Sequence, residues 1–184
     1  RSAARVGDDV WVTGTLGDAA GALRQWQAGA EIDPSLRARL DRPTPRIAAG
    51  RALLGLAHAC IDVSDGLLAD LGHICETSGV RARIDVDALP ASNALRSAFS
   101  GDDLRTLQAA GGDDYELCFT APAHARLAVE ETLQDVDVPV TRVGRVVGDA
   151  AGAGASGAAH KVIAITAKGE AWTSPRSGYR HFSG

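Results

Sequence analysis

Hydrophobic and polar positions alternate most strictly over Val80 to Val86, where Val80, Ala82, Ile84 and Val86 share one face and Arg81, Arg83 and Asp85 the other. A period of two marks a half-buried strand. Helical spacing precedes it: Leu67, Leu68, Leu71, Ile74 and Cys75 make one apolar stripe, which predicts a helix from about Gly66 to Thr77 stopped by Gly79. Asp9 to Thr13, with its β-branched and aromatic residues, predicts a strand that turns through Gly14 to Asp18 into a helix from about Ala19 to Gln27, ending near Gly29. A short helix over Ser35 to Leu40, capped by Ser35, has to stop before Arg42-Pro43-Thr44-Pro45.

Arg46 to Ala59 reads as a further helix running into a short strand, Cys60 to Val63. Tyr115 to Thr120, Val138 to Val147 and Lys161 to Thr166 read as strands, and Leu104 to Ala109 and Ala123 to Leu133 as helices. Elements mixed in this way predict a single α+β domain with one mixed sheet. Gly148 to Ala159 is almost entirely Gly, Ala and Ser, so it reads as a flexible hairpin loop pairing the strands on either side. The tail from Trp172 to Phe182 reads as folding back onto the domain.

With 45% apolar and 23% charged residues, the 184-residue chain can bury a core and does not have a disordered composition. A net charge of -4 offers no general basic field, which argues against nucleic acid as a partner. Cys60, Cys75 and Cys118 lie singly in apolar segments without metal or disulfide spacing, as expected of reduced thiols in a cytoplasmic protein. There is no apolar run of about 20 residues to span a membrane and no signal-peptide core at the start. The chain begins at Arg1 and contains no Met, so further sequence upstream is expected.

Two acidic motifs carry the chemistry. Asp62-Val63-Ser64-Asp65-Gly66-Leu67 stands where a strand hands over to a helix, crowding two carboxylates and a hydroxyl at one strand end. Such oxygen ligands suit Mg²⁺, which takes one or two carboxylates and completes its shell with water and phosphate, beside helix-end amides. The same residues equally suit a helix N-cap. Gly111-Gly112-Asp113-Asp114-Tyr115-Glu116-Leu117 puts adjacent acids after a Gly pair, either as a ligand loop or as an Asx-rich turn. On a strand Asp113 and Asp114 would point to opposite faces, one toward a ligand and the other toward local backbone donors. Gly14 to Asp18 matches no phosphate-loop pattern and reads as a turn. His58, His73 and His160 lack metal spacing and read as packing or surface residues, and no serine has a nucleophile-elbow context.

Five strings occur in order: Val12 to Asp18, Arg42 to Arg46, Ile61 to Leu67, Gly111 to Leu117, and Gly178-Tyr179-Arg180-His181-Phe182. Together they resemble the C-terminal domain of the thiamine-monophosphate kinase family, from Arg1 to the end. The resemblance implies a layered α/β/α domain like the C-terminal domain of aminoimidazole ribonucleotide synthetase. It also implies a preceding ATP-binding domain, absent from this chain, that supplies the contacts of a homodimer. Asp62 and Asp65 would be Mg²⁺ ligands, Ser64 and Arg1 contacts to ATP, Asp113 a contact to thiamine monophosphate, and Tyr179 a contact to its rings. The resemblance implies no catalytic residue in this chain, because a phosphate monoester, with a second pKa of about 6, is already a deprotonated nucleophile at neutral pH. The competing readings are another two-domain synthetase of the superfamily and a non-catalytic ligand-binding module.

Overall fold

β1 (Asp9–Thr13) is buried along its whole length and lies at the middle of the molecule. In this computed structural model, which describes residues 2–148 and 161–174, there follow α1 (Asp18–Gln27), α2 (Pro34–Asp41), α3 (Ile47–Ala52), β2 (Ala59–Asp62) and α4 (Leu67–Ser78). Then come β3 (Arg81–Asp85), α5 (Asn93–Ala98), α6 (Gly101–Ala110), β4 (Leu117–Ala121), α7 (Arg126–Gln134), β5 (Val140–Val147) and β6 (Val162–Ile165). The strands form one sheet in the order β2-β4-β1-β5-β3-β6, antiparallel at every pairing except the parallel β3–β6.

Apolar side chains cover both faces of the sheet, giving the expected layering. On one side Leu67, Leu71, Ile74 and Cys75 of α4 pack on Val10, Val12, Ile61, Ala82 and Ile84. On the other, Ala49 of α3 and Val129 and Leu133 of α7 pack on Trp11 and Phe119, whose rings stack 6.4 Å apart. A third cluster, Ala22, Leu36, Leu95 and Leu107, binds α1, α2, α5 and α6 together. The alternation over Val80 to Val86 is realised as expected, with all four apolar residues buried.

β5 contains one extra residue. Val10 pairs with Gly144 and Trp11 with Arg142, so Val143 is inserted in the ladder. The bulge keeps Val143 and Val146 in the α4 core. Arg142 and Arg145, three residues apart, consequently fall on the same outer face as their cross-strand partners Trp11 and Asp9.

Several expectations are corrected. β5 and β6 are not a hairpin, because β3 lies between them and β6 runs parallel to β3. The helix expected over Arg46 to Ala59 is only Ile47–Ala52, and the chain then turns through Gly55 in the left-handed region (φ 86°). α2 starts one residue before Ser35; Asp33 caps it by accepting from the Ser35 and Leu36 amides, with Pro34 in the first turn. β4 begins at Leu117 rather than Tyr115, because Asp113 and Tyr115 have φ of 66° and 52°. Arg1, Tyr179 and nearly all of the Gly148 to Ala159 segment lie outside the described residues.

Among the described residues no helix is long and apolar enough to cross a membrane. None of the three cysteines is in a disulfide, and burial pushes the Cys60 and Cys75 thiols up to about 11.

Candidate functional site

The two acidic motifs meet because β2 and β4 are neighbours: Asp62 at the end of β2 pairs with Leu117 at the start of β4. Beyond that pair the loops continue the ladder. Val63 N–H donates to the Glu116 carbonyl at 2.7 Å, Tyr115 N–H to the Val63 carbonyl at 2.9 Å, and Asp113 N–H to the Ser64 carbonyl at 2.9 Å. Gly112 makes the approach possible, since a Cβ there would lie 2.5 Å from the Ser64 carbonyl oxygen.

Neither Ser64 nor Asp65 caps α4. The N-cap is Gly66, and the Ser64 and Asp65 amides both donate to Asp70 Oδ2, at 2.9 and 3.0 Å. Asp70 is 3% exposed, and burial raises its carboxyl above the ordinary value despite those two bonds. It orders the turn ahead of α4.

Asp113 and Asp114 point in different directions as expected, though by a different cause, and the backbone donor that Asp114 meets is distant in sequence rather than local. The left-handed backbone at Asp113 and Tyr115, rather than strand alternation, sends Asp113 to the surface and Asp114 inward. Asp114, 2% exposed, accepts the Gly17 amide with both oxygens, at 3.0 and 2.8 Å, tying the turn after β1 to the same place. The Tyr115 hydroxyl reaches Asp113 Oδ1 at 3.4 Å. Its pKa is raised first by the Asp113 charge, then by burial and the bond to Asp113, with Asp62 and Asp65 adding to the rise. Tyr115, which stands inside the second motif, therefore joins Asp113 at the surface next to the first motif.

Glu116 is fully buried beneath this surface. Arg46 holds both its oxygens, Arg39 Nη2 donates to Oε1 and the Thr13 hydroxyl to Oε2, each at 2.7 Å. Gly14 has to be Gly here, because a Cβ would fall on the Glu116 carboxylate. A cavity of about 190 Å³ between α1 and α6, lined by Leu23 and Leu107, opens beside Asp113. Among the described residues no group of three or more His, Cys, Asp or Glu is placed to hold a metal ion. His58 is paired with Asp8 at 2.9 Å and His73 is exposed on α4.

Fold and loops together define a class. The family model described as AIR synthase related protein, C-terminal domain, matches residues 5–156, and the chain belongs to that family. The similar proteins include thiamine-monophosphate kinases. That of Escherichia coli (strain K12) is 40% identical over 188 residues, spanning all of this chain and 55% of the relative. The crystal structure of the kinase from Stenotrophomonas maltophilia K279a matches with a TM-score of 0.80 at 49% identity, over 93% of this chain and 53% of that one. A further relative, solved in complex with AMPPCP and TMP, matches with a TM-score of 0.75 at 32% identity, over 98% of this chain and 53% of that one. The chain spans about half the length of the curated relatives it matches.

Proposed function

We propose that this chain supplies the C-terminal part of a site that phosphorylates thiamine monophosphate to thiamine diphosphate with ATP and Mg²⁺. One observation carries the reading: backbone hydrogen bonds set the segment bearing Asp62, Ser64 and Asp65 alongside the loop bearing Asp113 and Tyr115. The similarity to thiamine-monophosphate kinases, one of them solved with AMPPCP and TMP, supports the choice of substrates. The rest of the site would come from an N-terminal ATP-binding domain in a homodimeric, cytoplasmic enzyme.

In this mechanism Asp62 and Asp65 would hold Mg²⁺. Their hard oxygens fit an ion that keeps several waters and takes further ligands from phosphate, and no closed cage of three acids is required. The ion, when bound, would neutralise charge on the transferring phosphoryl group. Ser64 would contact the nucleotide. Asp113, exposed beside an apolar cavity, would complement the thiazolium cation while the cavity takes apolar parts of the same molecule. Arg1 and Tyr179 are assigned to ATP and to the thiamine rings on resemblance alone. The backbone ladder between the loops fixes the two substrate ends relative to one another, which is the positioning that phosphoryl transfer needs most.

The test is a titration of the chain with thiamine monophosphate in the presence of Mg²⁺ and a non-hydrolysable ATP analogue, with a coupled assay alongside. Mg²⁺-dependent binding that weakens in Asp113→Asn is expected, with negligible turnover by this chain alone. Binding indifferent to Mg²⁺ and to Asp113→Asn would overturn the reading.

A further inference from the structure

Arg83 on β3 and Arg145 on β5 are direct cross-strand partners. Like charges placed opposite one another in an antiparallel pair repel and weaken it. Among the described residues neither guanidinium has a carboxylate partner; Arg145 reaches only the Gly7 carbonyl, at 3.5 Å. Arg142 joins them on the outer face because of the bulge at Val143.

The nearby acids are engaged. Asp9, 1% exposed and the other cross-strand partner of Arg145, accepts Arg126 Nε at 2.6 Å and Nη2 at 3.0 Å, with Arg142 Nη1 at 3.5 Å. It fixes Arg126 and Arg142 at the rim and does not answer the Arg83 and Arg145 charges. Asp85 accepts the Asp87 amide at 2.9 Å. These six side chains surround a cavity of about 350 Å³ whose floor includes Gly144. The position has to be Gly, since a Cβ there would fall on the Arg83 backbone.

We propose that this outer face of β3 and β5 binds a phosphate-bearing small molecule through Arg83, Arg142 and Arg145. Planar guanidinium forks match phosphate oxygens in pairs, and a polyphosphate would answer the local positive excess in a chain whose net charge is -4. The cavity lies at the Asp9 end of β1, about 14 Å along the strand from Thr13 and the acidic loops. It is therefore a second anion site beyond the one proposed for phosphoryl transfer.

The experiment is calorimetric titration of the chain with inorganic pyrophosphate in EDTA, which removes Mg²⁺-dependent binding at Asp62 and Asp65. One saturable site is expected, weakened about tenfold or more in Arg83→Ala/Arg145→Ala and unchanged in Arg37→Ala, a surface arginine on α2. Thermal melts check that the double variant folds, and pyrophosphate should raise the melting temperature of the wild type and of Arg37→Ala more than that of the double variant. No saturable binding, equal binding by the double variant, or binding of an acidic peptide in place of pyrophosphate would overturn the proposal.

Discussion

Arg46 holds Glu116 with two hydrogen bonds of 2.7 Å, Nε to Oε2 and Nη2 to Oε1, across a sequence separation of 70. The Arg-Pro-Thr-Pro-Arg string ends in this contact, and the carboxylate it grips is on the residue whose carbonyl accepts Val63 N–H. The string thus acts on the acidic loops from below, through Glu116, without touching the surface where Asp62 and Asp113 stand. The bond to Glu116 is also the main reason the Arg46 pKa is raised, against a smaller opposing effect of burial.

Removing one partner of this buried pair should be costly. Arg46→Ala leaves Glu116 with only Arg39 and Thr13, and a loss of about 3 kcal/mol in unfolding free energy is expected. Arg46→Lys should recover part of it, because an ammonium restores the charge without the two-pronged geometry. Urea denaturation of the three proteins measures both effects, and a loss below 1 kcal/mol for Arg46→Ala would contradict the role of the pair.

Asp62 is exposed at a strand end, so Asp62→Asn removes charge and almost no packing. In the full-length enzyme it should lower the rate of phosphoryl transfer by about 100-fold or more while leaving the melting temperature within a degree or two. Steady-state rates at saturating Mg²⁺ decide the matter; an unchanged rate would reduce Asp62 to a turn residue.

At Asp113 charge and backbone can be separated. With φ at 66°, the position accepts Asn as readily as Asp but strains a β-branched residue by about 1–2 kcal/mol. Asp113→Asn should therefore raise the Michaelis constant for thiamine monophosphate without altering stability, whereas Asp113→Val should do both. Paired kinetics and melts on the two variants read this directly. Equal Michaelis constants in wild type and Asp113→Asn would remove the carboxylate from substrate binding.

Burial raises the Asp114 carboxyl well above its ordinary value of 3.8; the Gly17 amide opposes the rise, Asp18 and Glu116 add to it, and Arg39 opposes it. A raised pKa means that the folded state keeps a proton the unfolded state has released. The stability this contributes is complete below the unfolded value and is lost as pH rises through the folded one. From about pH 4 upward the wild type should lose stability relative to Asp114→Asn, whose side chain does not titrate. Melting curves at stepped pH test it, and a difference between the two proteins that does not vary with pH would refute the raised carboxyl.

Local periodicity made much of the fold legible. Val80 to Val86 alternates because one face is buried against α4, and the Leu67 to Cys75 stripe is the opposite wall of that core. What the pattern could not convey is pairing. Adjacent strands in sequence suggested a hairpin for β5 and β6, yet β3 intervenes. The shared face of Arg142 and Arg145 depends on a bulge set by the partner strand, and strict alternation would have parted them. The acidic motifs were visible as strings, and the consequence of their being neighbours was not. Tyr115 matters because its hydroxyl reaches Asp113 and its amide bonds across to Val63 of the other loop, and Arg39 and Arg46 matter because Glu116 is buried; neither fact is visible in a single string.

The clamp on Glu116 also sets the order in which the molecule can assemble. Thr13 and Glu116 are 103 residues apart, and Arg46 and Glu116 70, so each contact closes a long loop whose entropy has to be lost first. Helices such as α4 can form from neighbours in sequence, but β4 has to insert between β1 and β2, strands laid down far upstream. Folding should accordingly be slow for a chain of this size, and the acidic loops should acquire their shape only in its last stage.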